Sequence, residues 1–223
     1  MSKNRFRQLL PRYVIFLIGL FIAAMGVAFS AKAGLGTSPV ASLPYSVSLV
    51  SPRLSFGGWL NLLSVVQIAV QILVMRGKCD WFEIAVQTAL AFAYGYLTDL
   101  SCFIIRGLPM ATYGAQLVYM LLGCVILAFG IWVQVKGGVA MLPGEAMNRA
   151  ISKAINKRYE NVKIFFDVLY ITLAAAVALA FLHKLTGVRE GSIIAAVLVG
   201  NIIKLYEALW QRLRAGRGVR RPR

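Results

Sequence analysis

The feature that most constrains this chain is a stretch that it contains twice, at 32–39 (KAGLGTSP) and at 136–143 (KGGVAMLP). Each copy follows an apolar run of helical length. An ungapped alignment of the copies also pairs glycines in those runs, Gly19 with Gly123 and Gly26 with Gly130. Glycine permits a sharp break after a helix, and proline fits the first turn of the next one. The constant spacing therefore predicts an internal repeat in which each half breaks after its first helix.

The composition is typical of a membrane protein. Of the 223 residues, 59% are hydrophobic and 14% are charged, and the mean hydropathy is +0.73, values outside the range of soluble globular domains. The formal net charge of +16 would also suit a nucleic-acid-binding protein. Such a protein does not contain repeated apolar runs of about 20 residues. We therefore expect no nucleic-acid partner, and the basic charge instead indicates contact with anionic membrane lipids.

Six apolar runs are long enough to cross a bilayer, which requires about 20 residues. The predicted spans are TM1 13–31, TM2 56–75, TM3 81–103, TM4 113–135, TM5 162–182 and TM6 191–210. Two shorter segments, 39–50 and 143–158, follow the breaks and are predicted to be half-helices that re-enter the membrane or, for 39–50, lie in its interface. The predicted fold is all-α, with two three-helix repeats at 13–110 and 111–210, a basic N-terminus at 1–12 and a basic tail at 211–223.

The start of the chain also resembles a signal peptide, because a basic segment precedes an apolar run that ends in Ala31-Lys32-Ala33. The same motif returns in the middle of the chain, where no cleavage is expected. This recurrence favours a retained first span.

Lysine and arginine are distributed unequally between the two ends of the spans. If each span crosses once, one side carries the N-terminus, the 76–78 turn, the 153–163 segment and the tail. The other side carries only Lys32, Arg53, Arg106, Lys184 and Arg189. The positive-inside rule then predicts that both termini are cytoplasmic. With three crossings each, the second repeat is inverted relative to the first, as in transporters and channels with a site near the midplane.

Two half-helices that begin near Pro39 and Pro143 would enter from opposite faces and direct their N-termini toward a common centre. Free N–H groups and the partial positive charge of a helix N-terminus favour anions. Lys32 and Lys136 precede the two breaks and add formal charge. This pattern predicts a site for an anionic or carboxylate-bearing solute. The alternative is that both lysines extend from helix ends to the lipid headgroups.

Polar residues at and between the breaks complete the predicted substrate site. Hydroxyl groups at the first break could cap the half-helix or bind solute. The glutamate at the second break suits the helix dipole and could carry a coupling proton. The asparagine and aspartate within spans are either functional or, for the aspartate, paired with a nearby cation. The predicted site residues are Lys32, Gly34, Gly36, Thr37, Ser38, Pro39, Lys136, Gly137, Gly138, Pro143, Glu145, Asn61 and Asp167.

Enzymatic chemistry is not expected. His183 is the only histidine, and Cys79, Cys102 and Cys124 have no metal-binding or redox spacing. A single histidine with scattered acids supplies neither a catalytic triad nor a metal cluster. We therefore expect no catalytic residue, no metal ligand and no cofactor.

The chain resembles the YitT/YczE-type bacterial integral membrane proteins. The resemblance depends on 34–39 (GLGTSP) after the first span, the Gly137-Gly138 break, and Gly191-Ser192 with Gly200 in the last span. It covers nearly the whole chain and implies a location in the bacterial inner membrane, with 34–39 as the signature loop. Relatives often carry an acidic residue soon after the Ser-Pro, whereas this chain has Val40 and Ala41 there and Glu145 in the second copy.

These observations predict a small transporter that moves a small anionic or zwitterionic solute through a site between the repeats. Three alternatives remain open: a passive channel with paired half-helices, the substrate-binding subunit of a larger transporter, and a lipid flippase or scaffold. An aquaporin-like channel would place the half-helix after the second span of each repeat. The expected partners are a small solute and membrane lipids, with a homodimer or a partner subunit also compatible.

Overall fold

The computed structural model describes residues 3–109, 112–184, 187 and 189–218, which form eight α-helices and no strand. The helices are α1 Lys3–Ala33, α2 Pro39–Val50, α3 Phe56–Val74, α4 Trp81–Ile105, α5 Tyr113–Gly137, α6 Pro143–Ala154, α7 Tyr159–Leu182 and α8 Glu190–Gly218. Six of them contain a segment long and apolar enough to cross a membrane, and only α2 and α6 are short. The prediction of an all-α membrane protein with six spans is confirmed.

The two breaks have the local geometry that their residues favour. Pro39 and Pro143 each lie in the first turn of their short helix, where the missing N–H leaves no hydrogen bond unmade. Gly138 ends α5 in the left-handed conformation, with φ of 58°. Gly34 adopts φ of 68° directly after α1. A residue with a Cβ would be strained at either glycine, so each helix ends where its glycine stands.

Three helix ends differ from the predicted limits by four residues or more. α1 begins at Lys3, ahead of the predicted start at 13, and it continues through Pro11. α6 ends at Ala154, short of the predicted end at 158, because Asn156 turns the chain with φ of 49°. α8 continues to Gly218, so that part of the predicted tail is helical.

The centre of the fold is an antiparallel pair formed by α1 and α5. Gly19 lies against Gly130, and Gly26 lies against Gly123. A Cβ at Gly19 would stand 2.7 Å from the backbone nitrogen of Gln134, closer than real Cβ atoms approach. Small residues allow such close backbone approach within membranes, where van der Waals packing drives helix association.

The other helices surround this pair. α4 packs on α1 and α8 packs on α5, while α2 packs on α3 and α7, and α6 packs on the same two helices. A cluster of buried small and apolar side chains connects α1 with its neighbours. The cluster comprises Ala23, Val27, Ala31, Ala41, Phe56, Leu60 and Leu127.

α3 and α4 are joined tightly, whereas α7 and α8 are not in extensive contact in the part of the chain that the structure describes. A Cβ at Gly57 would overlap the backbone oxygen of Gly95. The Asp99 carboxylate accepts hydrogen bonds from the Gly57 N–H at 2.7 Å and from the Ser55 hydroxyl at 2.5 Å. Asp99 therefore ties the first turn of α3 to α4.

Candidate functional site

The start of α6 lies beside the middle of α3. Gly144 packs against the Gln67 side chain, since a Cβ there would be 3.2 Å from Gln67 Nε2. That nitrogen donates a hydrogen bond of 3.0 Å to the Tyr170 hydroxyl on α7. Gln67 stands well inside α3, about two turns before the helix ends at Val74. The N-terminus of α6 is therefore held between α3 and α7, away from their ends.

The segment that leads to α6 packs on the interior of the bundle. Gly138 ends α5, and the next residues, Val139, Ala140 and Leu142, contact the buried cluster of Phe16, Leu20 and Leu90 on α1 and α4. From Pro143, α6 runs alongside the second half of α3, because Ala150 and Ala154 share a cavity wall with Val74 and Met75.

A cavity of about 410 Å³ lies between α6, α3 and the start of α4. Three cationic side chains line it, Lys78, Arg149 and Lys153, together with Glu83. We call it the basic cavity. Gln71 also lines it; this side chain is 5% exposed, and its carbonyl oxygen has no hydrogen-bond partner among the described residues. The cavity thus combines excess positive charge with a buried polar group that is not satisfied within the described part of the protein.

A second cavity, of about 330 Å³, adjoins the first, and Glu83 and Met141 line both. Its charged lining residues, among those the structure describes, are Glu83 and Glu145. We call it the acidic cavity. Gln134 lines it, is 8% exposed, and has a side-chain nitrogen to which no described residue offers an acceptor. Two adjoining cavities therefore carry opposite charge.

Glu145 faces the acidic cavity from the first turn of α6, outside the six apolar spans. Its side chain is exposed to the cavity, yet protein atoms surround it, and this desolvation raises the pKa of its carboxyl. The positive charges of Lys163 and Arg149 lower the pKa in part. Glu83 lines the same cavity and accepts a hydrogen bond of 3.3 Å from Gln87, which is fully buried.

The two predicted lysines lie at opposite ends of the bundle, because α1 and α5 are antiparallel and each lysine is near the end of its helix. Lys32 donates a hydrogen bond of 2.7 Å to the backbone oxygen of Arg106 after α4. Lys136 forms an ion pair of 2.6 Å with Glu207 on α8 and lies over the Trp132 ring. Neither lysine is in the wall of the two cavities.

The residues of the first break pack against the start of α8. The Leu35 oxygen accepts a hydrogen bond of 3.0 Å from the Gly191 N–H, and Gly36 contacts Ser192. Thr37 is fully buried, and its hydroxyl lies 3.4 Å from the Ser38 oxygen. Ser38 precedes Pro39 at the N-cap position, but its side chain makes no capping hydrogen bond.

The remaining predicted residues form two groups, one at the second break and one within the spans. Gly138 and Glu145 line the acidic cavity, while Gly137 packs against α1 and Pro143 is buried. Asn61 contacts Gly95 between α3 and α4, and its side-chain oxygen has no partner within the described residues. Asp167 pairs with Lys163 at 3.3 Å. Of the predicted set, only Gly138 and Glu145 therefore line one of the two cavities.

Four charged residues of the cavities, Lys78, Glu83, Arg149 and Lys153, are outside the predicted site. One signal in the sequence could have found two of them. Glu145, Arg149 and Lys153 recur at every fourth position and therefore lie on one face of α6. Lys78 and Glu83 have no such signal, because only the tertiary fold brings the α3–α4 turn beside α6.

Within the described ranges, no group of three or more histidine, cysteine, aspartate or glutamate side chains is placed to hold a metal ion. The cysteines at positions 79, 102 and 124 are free thiols.

Six apolar spans, two of which form the central pair of α1 and α5, define an integral, multi-pass membrane protein. The chain belongs to a family of unknown function, DUF6198, whose model matches residues 10–208. It is 23% identical over 202 residues to the uncharacterized protein YyaS of Bacillus subtilis (strain 168), covering 90% of this chain and 94% of the relative. It is also 23% identical over 201 residues to the uncharacterized membrane protein YczE of the same organism, covering 89% and 86%. No solved structure gives a significant match. The resemblance to YczE-type proteins is thus confirmed.

Proposed function

We propose that the protein is a small transporter of a small anionic or zwitterionic solute, with a binding site between two inverted repeats. The observation that carries this proposal is the pair of cavities at the start of α6, with three cations in one wall and two buried glutamines unsatisfied within the described part of the protein. Polar pathways and ionisable side chains inside a membrane bundle are typical of transport proteins.

The contacts of the central pair support the inverted repeat. The sequence alignment that pairs Gly19 with Gly123 also pairs Gly26 with Gly130. Applied to the contact between Gly19 and Gly130, it produces the contact between Gly123 and Gly26, which is also present. A two-fold axis in the membrane plane between α1 and α5 would interchange these two contacts.

The surrounding helices follow the same correspondence. The packing of α4 on α1 matches that of α8 on α5, and the packing of α2 on α7 matches that of α6 on α3. The packing of α2 on α3 likewise matches that of α6 on α7. Inverted repeats of this kind allow a central site to be exposed alternately to the two sides of the membrane.

The contacts at the start of α6 support a re-entrant half-helix. The chain leaves α5 at Gly138 and packs inward along α1 and α4 through Leu142. It then begins α6 beside the interior residue Gln67 and returns toward Lys78. Irregular backbone at membrane depth is tolerated where it lines a cavity, as residues 138–142 do here.

The charge distribution supports an orientation in a bacterial inner membrane with both termini in the cytoplasm. Lys78 and Lys153 share a cavity at one end of the bundle, and Arg76, Lys157 and Arg158 are in the turns at the same end. We call this end the basic face. By the positive-inside rule, the basic face is cytoplasmic, and the two cavities open to the cytoplasm.

The first test of this proposal is solute binding to purified full-length protein, followed by transport. Thermal shift in detergent is measured against a panel of carboxylates, phosphate, sulfate and amino acids. Each stabilising solute is then tested for counterflow into proteoliposomes that contain the same unlabelled solute. A transporter that exposes its site alternately accumulates label above its external concentration under these conditions, whereas a passive channel only lets the label equilibrate.

The matched variants are Arg149→Gln, in the basic cavity, and Lys157→Gln, on the basic face but outside the cavity walls. We expect the first to weaken binding by about tenfold or more, because it removes a charged hydrogen-bond donor, and the second to leave binding unchanged. Equal losses for the two variants, or a blank panel with well-folded protein, would contradict the proposal.

A further inference from the structure

The two cavities have walls of opposite charge. A single helix, α6, sets the distance between those charges. Glu145 is in the wall of the acidic cavity, and Arg149 and Lys153 are in the wall of the basic cavity. These residues recur at every fourth position of α6, so successive members stand about 6 Å apart along the helix axis. The order of charge along this face, negative and then positive, is therefore fixed by the sequence of α6.

The space beside this charged face is kept open by small side chains. Ala146, Ala150 and Ala154 recur at the same interval next to the charged row and line the basic cavity. Larger residues at these three positions would occupy the volume between α6 and α3. The alanine row therefore leaves room for a ligand alongside the charges.

Buried amides provide an independent indication of a polar ligand. Gln71 in the basic cavity and Gln134 in the acidic cavity are both more than nine-tenths buried. Each has one side-chain polar atom without a hydrogen-bond partner among the described residues, an arrangement that costs free energy in a folded protein unless a ligand or water satisfies it. One such amide is found in each cavity, so a ligand that extends into both could engage both.

We propose that the solute is a compact zwitterion bound across both cavities, with its anionic group beside Arg149, Lys153 and Lys78 and its cationic group between Glu83 and Glu145. The inference rests on the proposed transport function and narrows its substrate class. A simple anion would be repelled by the two glutamates, and a simple cation by the three basic side chains. A compound with both charges, such as an amino acid or a betaine, is attracted at both ends.

The charges that face Glu145 from other elements are consistent with this assignment. Arg149 is on the same helix, and Lys163 on α7 acts on Glu145 through space. Lys163 itself is paired with Asp167 at 3.3 Å, so a carboxylate already offsets its charge. The ion pairs of the described chain join other residues, and the Glu145 carboxylate takes part in none of them.

A set of ligands with matched size and different charge tests the assignment. Binding of β-alanine, propionate and propylamine to the full-length protein in detergent is measured by thermal shift and calorimetry, with α-alanine and γ-aminobutyrate added to vary the charge separation. We expect at least one of the three zwitterions to bind about tenfold or more tightly than propionate and propylamine. Propionate binding as tight as that of every zwitterion would overturn the zwitterion inference and leave transport of an anion in place.

Variants of the acidic cavity separate the two proposals. We expect Glu145→Gln and Glu83→Gln each to weaken zwitterion binding by about tenfold, while propionate binding is unchanged or tighter. Arg149→Gln should weaken the binding of both the zwitterion and propionate. Glu160→Gln is the matched control, because Glu160 is exposed at the start of α7 and pairs only weakly with Arg158 at 3.5 Å.

The melting temperature of each variant without ligand shows whether it folds. If Glu145→Gln and Glu83→Gln both fold and bind zwitterions as the parent protein does, the acidic cavity does not recognise a cationic group and the inference fails. If Arg149→Gln also has no effect on any ligand, the proposed transport site itself fails.

Discussion

The two halves of this protein place different chemistry on equivalent helices. The alignment that pairs Pro39 with Pro143 also pairs three α2 residues with the charged row of α6. The pairs are Ala41 with Glu145, Tyr45 with Arg149 and Leu49 with Lys153. One repeat therefore has an apolar row where the other has a row of charges.

Within the apolar row, Tyr45 packs against other parts of the protein. The Tyr45 ring packs edge-on against Phe56 with centroids 5.3 Å apart, and its hydroxyl donates a hydrogen bond of 2.9 Å to the Ala31 oxygen. Arg149, at the equivalent position, instead lines the basic cavity. The comparison shows that the protein's own side chains pack against this position in the first half, whereas in the second half it borders a charged cavity.

The packing of α3 and α4 in the first half also differs from that of α7 and α8 in the second half. α3 and α4 are tied together through Gly57, Gly95 and Asp99. On α8, a Cβ added at Gly200 would have no neighbouring atom of the described residues within 4 Å. The first half is thus closed where the second is open.

The largest expected effect concerns the central pair of α1 and α5, to which each half contributes one helix. Gly26→Val should destabilise the protein by about 3 kcal/mol or more, because its side chain would overlap the α5 backbone at Leu127 and neither helix can move away without losing the core. Detergent-solubilised protein would show a strongly lowered melting temperature or no folded peak in size-exclusion chromatography. Gly114→Ala is the control, since its Cβ would meet no described atom within 4 Å. A stable Gly26→Val protein would contradict the close packing of α1 and α5.

A smaller effect should distinguish the closed and open halves. Gly57→Ala places a Cβ against the Gly95 oxygen and should cost about 1–3 kcal/mol of stability. Gly200→Ala meets no described atom, and alanine is the better helix former by about 1 kcal/mol, so this variant should be neutral or slightly stabilised. Thermal unfolding of the two variants under identical conditions measures the difference. Equal destabilisation would mean that α7 and α8 are packed as tightly as α3 and α4.

Replacing a residue of one repeat by its counterpart tests the functional difference directly. Arg149→Tyr gives α6 the aromatic residue of α2 and removes a cation from the basic cavity. We expect ligand binding to fall by about tenfold or more while the protein remains folded. Calorimetry with the best ligand of the panel measures the change. Tyr45→Phe provides the control: it removes only the hydrogen bond to Ala31 and should leave affinity unchanged.

Local chemistry explains why the starts of the two short helices and the breaks before them could be predicted. Pro39 and Pro143 each begin a helix, and Gly138 ends one, because these residues determine backbone geometry through their own covalent structure. The end of α6 at Ala154 was not predictable in the same way. It depends on Asn156 adopting a left-handed conformation that most residues avoid and that asparagine tolerates.

The composition of the site depended on contacts between distant parts of the chain. Glu145 could be identified from its position after Pro143, but the approach of Lys78 and Glu83 to α6 follows from how α3, α4 and α6 pack. The partner of Lys136, Glu207, is on the last helix, and no local pattern indicates that pairing. Matching positions in the two copies therefore predicted equivalent backbone and did not predict equivalent roles.

The smallest expected effect concerns the two lysines that the copies have in common. Lys32→Met and Lys136→Met remove a hydrogen bond to Arg106 and an ion pair with Glu207 at partly exposed helix ends, where such contacts contribute little to stability. We expect a slightly lower melting temperature for each variant, with ligand affinity unchanged because neither lysine lines a cavity. Added salt should diminish the difference for Lys136→Met, whose contact is ionic, more than for Lys32→Met. If either substitution abolished binding, the solute site would have to include the breaks after α1 and α5, and the charged row of α6 would be a vestibule on the route to it.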